Sequence, residues 1–301
     1  MRWLILSNAA LVVTVATACS GPTNWSVSSS QQAREHAEKV AGGGADPDKL
    51  VGDGKPALFA AVESRDCDSA ATLLEHGADA QGTWLGWTPL QASCSSGDGR
   101  CAALLLRHGA DPNHRVRGAS PLFLATMRGD GETIRMLVAG GARVDVAYSR
   151  EFPIQVAAEG GHADAVRALL EGGADPNTRG PAGSNPMHLA AAAGHDEAAA
   201  VLLDAGSRLT EIPSEPWTTA RTFTWAAGYR RQQGDTARGA ELDGIACEYF
   251  PIAVADLSDD GREHADELAE AEEATLECES RAGEGGIAPP PWSPPREPSP
   301  L

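Results

Sequence analysis

The stretch that decides the fold is FPIQVAAEGGHADAVRALLEGGADPN, residues Phe152–Asn177. Pro153 opens a first short helix, because the N–H group that proline lacks would have no helical partner at that position. Gly160 ends this helix, and a second helix follows with an apolar stripe that includes Leu169. Gly173 ends the second helix, since glycine adopts the left-handed conformation at low cost. A unit of this size cannot bury its own apolar faces, so the sequence predicts copies of it on both sides.

Copies of this unit recur along the chain with one period. Two motifs mark them: the Gly-Ala-Asp turn after the second helix, and the pair of residues that opens the first helix. Both motifs recur every 32 or 33 residues over most of residues 28–244, and a period shared by two motifs predicts a repeat protein. The turns begin at Gly44, Gly77, Gly109, Gly141, Gly173 and, in degenerate form, Gly206, and the helix-opening pairs are Thr88-Pro89, Ser120-Pro121, Phe152-Pro153 and Asn185-Pro186.

The period, the two helices and a T-P-L-H-x-A signature resemble the ankyrin repeat. The resemblance implies an all-α fold, an ankyrin-repeat solenoid of stacked helix-turn-helix units. An aromatic content of 5% suits such a stack of thin local cores better than one large globular core. The best individual matches are Thr88-Pro89-Leu90, Ser120-Pro121-Leu122 and Asn185-Pro186-Met187-His188-Leu189-Ala190-Ala191.

Composition divides the rest of the chain. Residues 240–301 contain 16 Asp and Glu against 3 Lys and Arg, and so carry most of the formal net charge of −18. This acidity argues against nucleic acid as a partner. We expect a C-terminal acidic helix and a disordered Pro-rich tail. The expected segments are a signal peptide at 1–18, a tether at 19–27, an N-terminal capping half repeat at 28–53, five ankyrin repeats at 54–212, a divergent C-terminal capping repeat at 213–244, an acidic, partly helical segment at 245–287 and the Pro-rich tail at 288–301.

The N-terminus has the features of an export signal in the usual order. A positive start at Arg2 precedes an apolar stretch, Leu4–Val15, and the small-residue cleavage site Ala16-Thr17-Ala18. Cys19 follows directly and resembles the acylated cysteine of bacterial lipoproteins, although Ala16 stands where that pattern usually has leucine. We therefore expect an exported protein of the periplasm or cell envelope, anchored to a membrane by lipid on Cys19. Secretion without lipid and an uncleaved apolar terminus are the alternatives.

Six cysteines are present, and export is compatible with disulfides. We predict the pairs Cys67–Cys101 and Cys247–Cys278, although sequence alone leaves connectivity open. Cys94 falls on a first helix, where a buried small residue is the simplest interpretation. Metal binding is the alternative, but there is no C-x-x-C motif and no histidine at ligand spacing from a cysteine. The sequence thus predicts no metal site and no cofactor.

No catalytic residues are predicted. The resemblance implies that His162, His188 and His195 stabilise turns and loops, since they occupy the family's repeat positions. The aspartates of the Gly-Ala-Asp turns, such as Asp79 and Asp111, are expected to fix those turns. We therefore predict a non-enzymatic protein, and an enzyme with a cryptic site stays as an alternative.

In the ankyrin family the partner meets the concave surface formed by finger tips and first helices, and the resemblance implies the same surface here. Tip residues include the aromatic and arginine types that are enriched in interface hot spots. Arginines at successive tips would form a positive stripe that favours a partner with an acidic surface. The predicted binding residues are Trp84, Trp87, Arg115, Arg117, Tyr148, Arg150, Arg179 and Trp217.

Several alternatives to this monomeric protein-binding module stay open. Trp84 or Trp87 could pack against a neighbouring finger, and the arginines could be scattered solvated charges. The acidic helix of residues 259–279 could fold back on the arginine stripe. The protein could also be a periplasmic inhibitor or immunity protein against one enzyme or toxin, or have a structural role in the envelope.

Overall fold

The computed structural model describes residues 27–52, 54–180, 183, 185–208, 216–259 and 265–283. These residues contain fourteen α-helices and one two-stranded antiparallel hairpin. The chain divides into two compact units, the first ending at Asp175 and the second beginning at Pro176. The predicted signal peptide, Cys19 and the Pro-rich tail at 288–301 lie outside the described residues.

The first unit consists of helix pairs in which a first helix of 7 or 8 residues alternates with a second helix of 9 residues. A longer helix and the short hairpin precede the first pair. The elements are α1 (Val27–Ala41), β1 (Leu50–Val51), β2 (Lys55–Pro56), α2 (Ala57–Glu63), α3 (Cys67–Glu75), α4 (Pro89–Ser96), α5 (Gly99–Arg107), α6 (Pro121–Met127), α7 (Gly131–Ala139), α8 (Pro153–Glu159) and α9 (Ala163–Glu171).

Side-chain caps explain where many of these helices begin. Thr88 and Ser120 accept hydrogen bonds from backbone N–H groups three residues later, and a proline follows each of them. Three second helices begin after an aspartate that accepts a hydrogen bond in the same way. Such caps satisfy N–H groups that the helix itself leaves unpaired. The capping aspartates are Asp66, Asp98 and Asp130.

The core of the first unit is a ladder of equivalent apolar residues. Corresponding helices of successive pairs pack on each other, first helix on first helix and second on second. A leucine at one position of every second helix is fully buried, and the first helices contribute a matching row. The rows are Leu73, Leu105, Leu137 and Leu169, and Leu58, Leu90, Leu122 and Ile154. The mutual burial predicted from the period is therefore present.

The described part of the second unit contains one further helix pair and three longer helices. Trp225 and Tyr229, whose rings stack 5.4 Å apart, lie on the first of the longer helices. Their polar atoms donate hydrogen bonds to Asp196 and Asp204, the first and last residues of the preceding helix. The helices are α10 (Pro186–Ala192), α11 (Asp196–Asp204), α12 (Pro216–Gln232), α13 (Thr236–Asp259) and α14 (Ala265–Gly283).

The structure does not divide the chain after Gly244, where the sequence suggested that the capping repeat ends. Helix α13 continues through this residue as far as Asp259 and even includes Pro251. Buried Leu242, Ala246 and Phe250 form a stripe at helical spacing, so packing outweighs the poor helix propensity of glycine and proline. The acidic segment is helical as α14. No helix in the described ranges combines the length and apolar character needed to cross a membrane.

Candidate partner-binding fingers

Three loops of the first unit share one hairpin geometry, and we call them finger 1 (Gln81–Trp87), finger 2 (Asn113–Ala119) and finger 3 (Asp145–Glu151). In each finger two backbone hydrogen bonds close a two-residue turn, with N···O distances of 2.9 to 3.1 Å. Both central residues of each turn have positive φ, which is the pattern of a type I′ turn. The three fingers therefore present their tips in the same backbone conformation.

The tips carry side chains in a backbone region that L-residues seldom adopt. Leu85 and Arg117 have φ values of 52° and 48° at the first central position of fingers 1 and 2. In finger 3 both central residues are non-glycine, Ser149 at 50° and Arg150 at 75°. Leu85 is 72% exposed. Arg117 and Arg150 are also exposed, and among the described residues neither has a hydrogen-bond or ion-pair partner.

Aromatic contacts hold fingers 1 and 3 on the first helices. The ring of Trp84 lies 5.6 Å from that of buried Phe59, and the ring of Tyr148 lies 4.8 Å from that of buried Phe123. The ammonium group of Lys55 lies 4.4 Å from the centre of the Trp84 ring. Trp84 thus packs on the first helix of its own repeat. Both half-buried rings, predicted as partner contacts, also cover the core of their own repeats.

The amide of Gln91 holds finger 2 on its first helix. Gln91, which is fully buried, occupies the position in α4 that Phe59 and Phe123 occupy in α2 and α6. Its Nε2 donates hydrogen bonds to the carbonyl oxygens of His114 and Ala119, at 3.1 and 3.2 Å. Its Oε1 accepts one from the N–H of Thr88. The side chain therefore joins the start of a helix to both arms of the finger.

The predicted arginines differ in what they contact. Arg115 donates hydrogen bonds to the carbonyl oxygens of Gly118, at 2.7 Å, and Ala147, at 3.0 Å. It therefore links fingers 2 and 3, unlike Arg117 and Arg150. In the second unit, exposed Arg179 donates to the carbonyl oxygen of Gly183.

The two remaining predicted binding residues are tryptophans. Trp87 is half-buried, and its backbone closes the turn of finger 1. Trp217 belongs to α12, and its side chain lies outside the described part of the structure.

An amide ladder at the base of the fingers was missed in the sequence. Gln81 and Asn113 donate hydrogen bonds to carbonyl oxygens 28 residues later, those of Gly109 and Gly141. Asn113 also accepts one from the N–H of Arg143. The recurrence of an amide residue 32 residues apart, after each Gly-Ala-Asp turn, was the available signal. Asp79 and Asp111 accept hydrogen bonds within their own turns, as predicted.

The cysteines form the two pairs named from the sequence. Cys67 is joined to Cys101, and Cys247 to Cys278, so one disulfide links α3 to α5 and the other links α13 to α14. Cys94 is a free, buried thiol. Burial raises the pKa of Cys94 to about 12, so this residue is a weak nucleophile at neutral pH.

The ionisable groups with shifted pKa values have structural partners. A hydrogen bond from Arg135 holds the pKa of Asp164 below its ordinary value, and a hydrogen bond to Asp204 raises the pKa of Tyr229. His188 is buried with Nδ1 2.6 Å from the Asn185 side chain that caps α10. These arrangements stabilise helices, and none of them pairs a nucleophile with a base.

Comparison of the sequence with models of known protein families gives a match to one family. A family model described as ankyrin repeats, in three copies, matches residues 26–116 and 122–212. The two ranges together cover more than half of the 301 residues. Comparison with curated proteins gives no match.

Proposed function

Because this chain belongs to the ankyrin-repeat family, we propose that it binds a protein partner through the tips of fingers 1 to 3. Ankyrin repeats are generally protein–protein interaction modules, and the family is typically non-enzymatic.

The proposal rests on a difference between the tip arginines and the residues beneath them. Arg117 and Arg150 are strained and unpaired among the described residues, whereas the residues beneath them hold the fingers in place. Left-handed backbone at a non-glycine residue costs free energy, and such strain is concentrated at functional sites. Arg117 and Arg150 accept this cost while making no hydrogen bond or ion pair with described residues. Phe59, Gln91 and Phe123 hold the fingers from below. The tips are therefore ordered before a partner arrives, which lowers the entropic cost of association.

The chemistry of the tips defines the partner that they fit. Two arginines on a chain of net charge −18 form a local positive area that favours an acidic surface. Leu85, on the tip of finger 1, adds an exposed apolar side chain. The partner surface that matches this row has carboxylates opposite fingers 2 and 3 and an apolar depression opposite finger 1.

The test is capture of envelope proteins by the parent chain and by the double variant Arg117→Asn/Arg150→Gly. Asparagine and glycine are the residues that type I′ turns prefer at these two positions, so the variant removes charge and keeps the fold. A matched control, Arg100→Ser/Arg107→Ser, removes two exposed arginines of α5. We expect the tip variant alone to lose a captured protein. Equal capture by all three chains would contradict binding through the tips.

We also propose that the protein is exported and anchored in the bacterial cell envelope through Cys19. The charged start, the apolar stretch and the small residues before Cys19 support this placement. Labelling of cells with a palmitate analogue should mark the parent chain and leave Cys19→Ser unlabelled. A labelled Cys19→Ser chain, or an unlabelled parent chain, would exclude acylation at this residue.

A further inference from the structure

We propose that Cys67, Asp98 and Cys101 form a binding site for one zinc-type divalent cation when their disulfide is reduced. The ligand atoms of these three residues lie within 4.8 Å of one another. Cysteine thiolates with a carboxylate and one water are a donor set that suits Zn²⁺. The site is separate from the finger tips, so the proposal does not depend on partner binding.

The position of Asp98 is the first observation. Its Oδ1 accepts a hydrogen bond from the N–H of Cys101, so the carboxylate is fixed as the cap of α5. Its Oδ2 lies 3.3 Å from Sγ of Cys67. A sulfur and an oxygen that share one tetrahedral zinc ion lie about 3.6 Å apart, given bond lengths of about 2.3 and about 2.1 Å. The distance between this carboxylate oxygen and the Cys67 sulfur is therefore already close to the distance that a shared zinc ion requires.

The surroundings of the two sulfurs are the second observation. Cys67 is the first residue of α3 and Cys101 the third residue of α5, and helix N-termini favour the thiolate, which is the form that binds metal. Cys101 is fully buried and Cys67 is 8% exposed. The site is thus shielded from most of the solvent, while half-buried Asp98 leaves a side from which an ion and a water can enter.

The neighbouring repeats show that this cluster does not follow from the repeat pattern. Asp66 and Asp130 cap their helices as Asp98 does, but they accept hydrogen bonds from the N–H groups of Ser69 and Thr133. These two residues occupy the position that Cys101 has in its own helix. Within the described ranges the other disulfide, Cys247–Cys278, has no third ligand at comparable distance. The protein therefore provides a matched control for each part of the site.

The chemistry balances with a dithiol as the reductant. The dithiol breaks the S–S bond by exchange and leaves as its own disulfide, so that two electrons reduce the two protein sulfurs to thiols. The ion then displaces both thiol protons to solvent and binds two thiolates, the carboxylate and a water. Opening the disulfide lets the sulfurs separate to the distance of about 3.8 Å that a shared zinc requires.

The experiment uses the full chain with Cys19→Ser, reduced with a dithiol, freed of reductant under argon and titrated with Co²⁺. We expect one Co²⁺ per chain, an absorption band from thiolate-to-cobalt charge transfer, and displacement by Zn²⁺. Asp98→Asn should weaken binding by more than about tenfold, although asparagine still caps the helix. Asp130→Asn and Cys247→Ser/Cys278→Ser should bind as the parent does, and Cys67→Ser/Cys101→Ser should not bind.

Three results of the titration would overturn the proposal. The reduced parent chain could fail to bind Co²⁺, or Asp98→Asn could bind with unchanged affinity, or the Cys247→Ser/Cys278→Ser chain could lose the band. Circular dichroism of each reduced chain accompanies the titration. Loss of helix on reduction of the parent would also count against the site, because its ligands are brought together only by the folded repeats.

Discussion

Fingers 1 and 3 pack on aromatic rings of the first helices, whereas finger 2 is hydrogen-bonded by the amide of Gln91. The residue that makes the contact is the third of its first helix in every case, and the finger residue that faces Phe59 or Phe123 follows 25 positions later. In the repeat with Gln91 the residue at that position is Val116, and the amide bonds the finger backbone directly. One turn geometry is thus reached by two kinds of contact. The tip residues, which we propose as the binding surface, take no part in either kind of contact.

The largest effect should come from removing an aromatic support. Phe123→Ala deletes a side chain that is 2% exposed and contacts Tyr148, so we expect the free energy of unfolding to fall by about 3 to 5 kcal/mol. Urea unfolding followed by circular dichroism measures this loss. A loss below about 1 kcal/mol would mean that finger 3 does not depend on the ring.

Exchange of one kind of contact for the other should have a smaller effect. Gln91→Phe takes a donor from the carbonyl groups of His114 and Ala119, and should cost about 1 to 3 kcal/mol. Adding Val116→Tyr supplies the aromatic partner found in finger 3 and should restore about 0.5 to 1.5 kcal/mol. A double-mutant cycle of unfolding free energies isolates this coupling. Strictly additive effects would show that the two kinds of contact are not interchangeable.

Equivalent tip positions should respond with opposite sign. Arg150→Gly relieves left-handed strain at φ 75° and should raise the free energy of unfolding by about 1 kcal/mol. Gly118→Ala introduces that strain at φ 92°, and its methyl group would meet the Tyr148 ring at 3.3 Å, so stability should fall by about 1 to 2 kcal/mol. Thermal unfolding of both variants measures the pair. Changes of the same sign would contradict the type I′ assignment of these tips.

The smallest effect should come from the exposed ion pairs of the second helices. Arg135 lowers the pKa of Asp164 from its ordinary value of 3.8, so the pair stabilises the fold above that pH and the stabilisation is lost as the pH falls. Because both side chains are partly exposed, Asp164→Asn should cost less than about 1 kcal/mol at pH 7. Unfolding of the parent and variant at neutral and acidic pH should show the difference disappear in acid. A loss of unfolding free energy as large as that of Phe123→Ala would contradict the expectation that finger contacts contribute more to stability than these ion pairs.

The helix pairs were predictable because their signals are local. The proline after a capping residue, the glycine after each helix and the apolar spacing all act within a few residues of one another, and the period repeats them. The C-terminal region was harder, since Gly244 and Pro251 indicate a break that buried Leu242, Ala246 and Phe250 override. Those residues are buried by contacts with other helices, which no local pattern specifies.

The roles of single residues in the candidate site were also not predictable from local sequence patterns. Arg115 and Arg117 lie two positions apart and look equivalent in the sequence. Only the structure shows that Arg115 bonds the carbonyl oxygen of Ala147, 32 residues away, whereas Arg117 has no such contact with described residues. Asp98 of the proposed cation site was missed for a related reason, because its distance to Cys67 depends on how two repeats stack.

The central claim is that the tips bind and the residues beneath them only hold the fingers. The most direct measurement is the dissociation constant of a captured partner for the parent chain and for Arg117→Asn/Arg150→Gly across a series of salt concentrations, with thermal unfolding of the same samples. The account predicts that the variant is at least as stable, binds about tenfold or more weakly and loses most of the salt dependence. Unchanged affinity in a folded variant would contradict it.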